Sequence, residues 1–375
     1  MNEIAVVIPR FALVGGAERF ACRLTEEMIP LGYRFHVLAH RWKKEDYPVT
    51  FHRTGYLPFP RFLITPSFAW NVAKRVKKGD FDLIHSHDRI FSADIFTLHG
   101  VPHLFWAREV RGKKVLSLFD WATAWVEREM VTRNPKSFFV AVSEITKSLF
   151  LDVYKIDRSR VPVIHPGVDL PTSQEGERKK SRNYLASRYG IENRERILFF
   201  AAMNFEIKGL KETIAALGTL ARKEPAFKLL IAGKGNRKHY ERLAYQEGIG
   251  GKVIFTGVLD KETLSRHYWG SDLFLLLSHF DTFGLVVLEA MAHGLPVMVS
   301  SRVGAKDVIV EGENGFIISD ISNGAEIATK IMHIFRESKH RLMSEAAHET
   351  AKRCSWKEVA KKYHKLYQSV LHAKA

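Results

Sequence analysis

Short runs of β-branched and aromatic residues alternate with helical patterns along the 375 residues of this chain, an alternation that points to βαβ units feeding parallel sheets. In the first half, Ile4–Pro9, Phe35–Ala39, Phe81–His85, Ala93–Leu98, Phe138–Val142 and Val161–His165 read as strands. Arg196–Ala202, Phe227–Ala232, Lys252–Thr256, Asp272–Leu277, Pro296–Ser300 and Gly315–Ile318 repeat the rhythm in the second. Unbroken apolar stretches such as Ile197–Ala202 suit strands covered by helices on both faces. The length exceeds what one core usually organises, so the expectation is α/β, with two Rossmann-like, doubly wound parallel-sheet domains. The polar interval Pro171–Arg196, including Ser173, Gln174, Glu175 and the basic cluster Arg178–Arg182, reads as the linker, with domains at residues 1–175 and 190–355. Behind Ser355, apolar Val359, Tyr363, Leu366, Tyr367 and Val370 recur at helical spacing, so residues 356–375 are read as a packed helix completing the first domain.

The net charge of +16 and pI near 9.7 predict an anionic partner: nucleic acid, an acidic membrane surface or phosphorylated small molecules. Basic residues are spread over both halves, which argues against a disordered nucleic-acid arm. Cys22 and Cys354 stand far apart without metal-ligand spacing, and a reducing cytoplasm is the expected location. Met1–Pro9 reads as a buried strand and not as a signal peptide, and no apolar run reaches membrane-spanning length. Any membrane contact is therefore expected to be peripheral.

Two segments are candidates for ligand chemistry. Gly15-Gly16 follows the first strand and opens a helix, where glycine lets backbone approach a ligand and free N–H groups face an anion; a turn without a ligand fits this pair equally well. Ser278–Pro296 is richer: a buried strand leads to a loop with Asp281 and Gly284, then to a helix stopped by Gly294. The amides of Phe283, Gly284 and Leu285 would face the crevice beyond the strand ends, where a diphosphate fits. Eight positions separate Asp281 from Glu289, roughly 12 Å along a helical rise, which suits a sugar at one end and a ribose at the other. For an isolated acid pair, a helix cap and a solvated side chain would be the simpler account. Glu289, however, lies among Val286, Val287, Leu288, Ala290, Met291 and Ala292, where a carboxylate needs partners.

In their joint order, V-G-G-A-E-R at Val14–Arg19, D-L-I-H-S-H at Asp82–His87, T-L-H-G at Thr97–Gly100, A-V-S-E at Ala141–Glu144, H-P-G-V-D at His165–Asp169, K-G at Lys208-Gly209, I-A-G-K-G at Ile231–Gly235 and F-G-L-V-V-L-E-A-M-A-H-G-L-P-V at Phe283–Val297 resemble the retaining GT-B glycosyltransferases of the group 1 family, which includes lipopolysaccharide core glucosyltransferases. The resemblance covers nearly the whole chain. It implies two domains facing a central cleft, the first receiving the acceptor and the second the nucleotide-sugar donor. It also implies that Glu289 holds the donor ribose, that Asp281 with the Phe283, Gly284 and Leu285 amides contacts the transferred sugar, and that Lys208 and the Gly15-Gly16 backbone meet the diphosphate. Asn204 is placed with these donor-binding residues. Two departures stand out: Asp281 replaces the family's usual glutamate, and Ala201–Gly209 lacks the arginine that commonly accompanies the lysine.

His99 follows the strand ending T-L, the place of the family's catalytic-region histidine, with His85, His87 and His103 as competitors. His99, Lys208 and Asp281 are the expected catalytic residues. Lysine and helix amides meet leaving-group charge in this family, so no metal and no cofactor are expected beyond the nucleotide sugar as co-substrate. Residues 102–133 interleave Phe105, Trp106, Leu116, Leu118, Phe119, Trp121 and Trp125 with Arg108, Arg111, Lys113, Lys114 and Arg128. That pattern fits equally a helix lying in an anionic lipid interface and a surface helix with its aromatics turned to the core. The expected activity is transfer of a hexose from a UDP-hexose to a glycan or glycolipid, of the lipopolysaccharide-core kind. An epimerase of the same fold is the enzymatic alternative, and a basic nucleic-acid-binding protein ranks last.

Overall fold

The computed structural model describes residues 1–43, 48–172 and 176–374. Ser173, Gln174 and Glu175 of the expected linker lie outside the described residues. The chain divides into two compact units, Met1–Gly167 with Trp356–Ala375, and Val168–Ser355.

The first unit holds β1 (Asn2–Val7), β2 (Tyr33–Ala39), β3 (Thr50–Arg53), β4 (Leu83–Ser86), β5 (Ile95–Leu98) and β6 (Phe138–Ala141), all parallel in the order β3-β2-β1-β4-β5-β6. On one sheet face, α1 (Gly16–Met28) buries Phe20, Leu24 and Met28 in the same cluster as Trp356, Tyr363 and Tyr367 of the C-terminal helix Trp356–Lys374. On the other face, α2 (Ile64–Val76) and α3 (Leu118–Thr132) share a core through Phe68, Val72, Val126 and Met130. The second unit repeats the topology with β7 (Arg196–Ala202), β8 (Phe227–Gly233), β9 (Val253–Gly257), β10 (Leu273–Leu276), β11 (Val297–Ser300) and β12 (Gly315–Ile318), parallel in the order β9-β8-β7-β10-β11-β12.

Two expectations need correction, and one strand was not anticipated. Val161–His165 is not a strand: it contributes a single bridge, Val163 to Ala141. Thr50–Arg53 is an edge strand whose half-exposed residues lack an apolar signature. The interval read as linker contains α4 (Glu177–Tyr189), which buries only Ser181 and Leu185 and is anchored by Arg182 donating to Asp272 at 2.8 Å. Its stability comes from that ion pair and from packing on α5 (Lys261–Gly270), so hydrophobic periodicity could not reveal it.

Candidate active site

In each sheet the chain builds outward from the first strand, then returns to its other side. The carboxyl ends of β1 and β4, and of β7 and β10, therefore border a crevice that no crossover fills. Most of the expected site residues lie on the loops that leave these four strands.

In the second unit, the turn after β7 carries Lys208, and the loop after β10 carries Asp281. Lys208 Nζ donates to Asp281 Oδ2 at 2.5 Å, with the two side chains 25% and 15% exposed. An ammonium has three N–H donors, so Lys208 can hold this partner and still bond a ligand. Backbone ties fix the pair. His279 N–H donates to Ile207 O (2.9 Å), Asp281 N–H to Arg302 O (3.0 Å) and Gly304 N–H to Asp281 O (3.0 Å), joining the loops after β7, β10 and β11. Gly209 makes the approach possible: its φ is +74°, and a Cβ there would lie 1.8 Å from Leu277 O. Asn204 shapes the same turn, its Oδ1 accepting from Ile207 N–H (3.0 Å) and its carbonyl from Lys208 N–H (3.2 Å).

The helix α6 (Leu285–Ala292) begins after Gly284, at φ +89°. Asp281 thus lies ahead of the helix, and the separation expected from a helical rise to Glu289 does not apply. The Phe283 N–H donates to Asp281 Oδ1 at 3.3 Å, so that amide is engaged within the protein and is not the open donor it was expected to be. The amides of Gly284 and Leu285 precede the first donor of the α6 turn, Val287 N–H to Gly284 O, and remain directed out of the helix. Glu289 is half-buried and accepts from Tyr268 Oη at 3.1 Å; the tyrosine was not anticipated. The turn after β7, which lacks the arginine that the resemblance calls for, exposes Met203, 67% accessible.

In the first unit, Gly15 has φ +89° and starts α1, and the Glu18 carboxylate lies over it, 2.4 Å from where a Cβ would stand. That acid occupies space beside the amides expected to meet a diphosphate. His99, after β5, shares a 3.0 Å hydrogen bond from its Nε2 to His87 Nδ1 and packs edge-on against Phe20 at 4.9 Å. Burial lowers the His99 pKa to about 3, so the ring is neutral at physiological pH. His85, lowered to about 3 by burial and then by His99, is held between Tyr367 Oη and Thr97 Oγ1, both at 2.7 Å. His85 is therefore a core residue, and His87 is the partner that orients His99. His103 turns instead to the buried Asp120, at 3.1 Å.

Beside the histidines lies a cleft lined in part by Asp88, Arg89, His99 and Glu127. The buried Glu127 carboxylate accepts from Arg89 Nε and Tyr154 Oη, both at 2.5 Å, and from His103 N–H at 3.1 Å. These partners are 38, 27 and 24 positions away in sequence, too distant for any local motif to reveal. Among the described residues, no group of three or more His, Cys, Asp or Glu is placed to hold a metal, and no helix is long and apolar enough to cross a membrane.

Two Rossmann-like parallel-sheet units with charged loops at their switch points define the GT-B class of glycosyltransferases. Residues 182–352 match the model of the family described as glycosyl transferases group 1, and residues 14–171 match that of glycosyltransferase family 4. A glycosyltransferase family model thus matches each half of the chain, which is a glycosyltransferase. It is 25% identical over 379 residues to an uncharacterised glycosyltransferase of Methanocaldococcus jannaschii, covering 95% of each chain. Two solved structures share its fold. WaaG, a glycosyltransferase involved in lipopolysaccharide biosynthesis, matches with TM-score 0.76 at 17% identity, over 97% of this chain and 99% of that one. HepE of Anabaena, in complex with UDP-glucose, matches with TM-score 0.71 at 17% identity, over 98% and 100%.

Proposed function

We propose that this enzyme transfers a hexose from a UDP-hexose to a glycan acceptor carried on a lipid, of the lipopolysaccharide-core kind, with retention at the anomeric carbon. The observation that carries the reading is the Lys208–Asp281 pair beside the open Gly284 and Leu285 amides, at the switch point of the second sheet. A diphosphate is the ligand such a cation and helix start would favour. In this reading Lys208 and the two amides stabilise the departing diphosphate, Asp281 accepts from a hydroxyl of the transferred sugar, and Glu289, steadied by Tyr268, accepts from the ribose. Asn204 acts by shaping the turn that presents Lys208. The second unit receives the donor and the first the acceptor, where the Gly15-Gly16 turn and neutral His99 can offer hydrogen bonds to a sugar or phosphate. HepE, which shares the fold, is known with UDP-glucose, and WaaG acts in lipopolysaccharide biosynthesis, which supports donor and acceptor class.

Charge on the leaving group is met by protein groups, so transfer should persist in EDTA. Thermal-shift measurement against a panel of nucleotide sugars, followed by turnover with a lipid-linked glycan and anomeric analysis of the product by NMR, tests the reading. A UDP-hexose should stabilise the protein and yield a product with the donor's configuration. Epimerised donor formed without acceptor would overturn it in favour of an epimerase.

A further inference from the structure

The segment 102–133 does not turn all its aromatics inward. Phe105, Trp106 and Phe119 are partly buried, whereas Trp121 and Trp125 are 52% and 46% exposed, on the side of α3 opposite Thr123, Val126 and Met130. Leu118 lies on that same outer side, and Val115 is exposed just before the helix. The structure adds a second element with the same character. On α2, Trp70 is 59% exposed, opposite the buried Phe68, Ala69 and Val72, and Phe59 is exposed in the preceding loop. The helices pack side by side, with Thr65 Oγ1 3.4 Å from Thr123 Oγ1, and both bury their inner faces in one core over one face of the sheet. Their outer faces consequently point the same way, away from that sheet.

Four large apolar side chains thus share one side of the unit, Trp70, Leu118, Trp121 and Trp125, and Phe59 and Val115 are exposed in the segments leading into the two helices. Cations accompany them. Lys74 lies over the Trp70 ring at 5.8 Å, and Arg61, Arg111, Lys114 and Arg128 are exposed nearby in sequence. Acids are fewer: α2 has none, Asp120 and Glu127 are buried, Glu129 is paired with Arg133 at 2.5 Å, and Glu109 is exposed between Arg108 and Arg111. Lys113, expected among the surface cations, donates to buried Asp120 at 2.8 and 3.0 Å. Burial pushes the Asp120 carboxyl up, but bonds from Lys113, Ser117 and His103 outweigh it and hold it below the usual range, so Lys113 belongs to the fold.

We propose that the outer faces of α2 and α3 form a docking surface for a membrane with anionic headgroups, tryptophans seated at the headgroup boundary and the cations on the phosphates. Tryptophan carries an apolar body and a polar N–H suited to that boundary, and the excess of unspent cations selects anionic lipid over a typical apolar protein interface. The proposal deepens the lipid-borne acceptor reading and rests on it for its purpose, but binding is measured with neither donor nor acceptor, so the two fail separately.

The experiment is co-sedimentation of the full chain with phosphatidylcholine vesicles, with and without phosphatidylglycerol, at low and high salt. The chain should bind the phosphatidylglycerol vesicles, and salt should release it. Lys114→Ala and Arg128→Ala should each lower partitioning about fivefold, from about 1 kcal/mol per basic residue at such a surface. Trp70→Ser with Trp121→Ser and Trp125→Ser should abolish binding while the variant keeps the parent's circular dichroism spectrum and cooperative thermal unfolding, which shows that it folds. Equal binding to neutral vesicles, unchanged binding by the triple variant, or a stable dimer that the triple variant dissociates would overturn the proposal.

Discussion

Replacing Lys208 with methionine keeps the length and apolar stem of the side chain and removes the ammonium at the switch point. A hydrogen bond to a charged group is worth about 1.5–3 kcal/mol. With Lys208 25% exposed, screening places the expected loss in the lower part of that range, about 1.5–2 kcal/mol, or about 10- to 30-fold in affinity. The ligand that senses the loss should be the one with phosphates. Titration calorimetry with UDP and with uridine separates the cases: Lys208→Met should weaken UDP by that factor and leave uridine within about twofold. The same change leaves the Asp281 carboxylate without its cation beside the incoming diphosphate, so adding Asp281→Asn should restore part of the UDP affinity. In the single variant Asp281→Asn, affinity for UDP-hexose should fall more than affinity for UDP. Equal losses for UDP and uridine, or no loss for either, would refute the assignment of Lys208 to the diphosphate.

Gly209→Ala combines a left-handed backbone penalty of about 1–2 kcal/mol with overpacking of about 1–3 kcal/mol against Leu277 O; calorimetry should show the second unit's transition lowered by about 5–15 °C, and an unchanged Tm would contradict the close approach of the two loops. His85 and His99 titrate near 3 in the fold and near 6.5 when unfolded, so the unfolded chain binds more protons between those values. Their contribution is present above pH 6.5 and is lost as pH falls toward 3, by up to about 1.4 kcal/mol per pH unit for each ring. The stability–pH slope below 6.5 should be shallower in His99→Gln than in the parent, and identical slopes would count against burial of this ring. Tyr268→Phe removes the donor to Glu289 and should weaken UDP-hexose about two- to tenfold, while Glu289→Ala should abolish the thermal shift; no effect of either would take this acid out of the site.

Strands buried on both faces were legible to the residue, as at Arg196–Ala202 and Gly315–Ile318, because a short apolar run bounded by polar turns leaves room for little besides a strand covered by helices. Thr50–Arg53 and α4 were not, since one is a half-exposed edge and the other a polar helix held by Asp272. At the site, Lys208, Asp281 and Gly284 could be picked out by motif. Their ion pair, Tyr268 beneath Glu289, and the engaged Phe283 amide depend on contacts between residues 21 to 73 positions apart, or on where a helix starts, and spacing alone does not encode these. The pairing of α2 with α3 was equally hidden. Trp70 and Trp121 become neighbours in orientation only because both helices cover the same face of one sheet.

The account depends most on where a donor's phosphates come to rest. A crystal structure with bound UDP-hexose should place a phosphate oxygen within hydrogen-bond distance of Lys208 Nζ and of the Gly284 or Leu285 N–H, with the ribose at Glu289. Phosphates found away from these groups, with the Lys208–Asp281 pair undisturbed and the helix start empty, would contradict it.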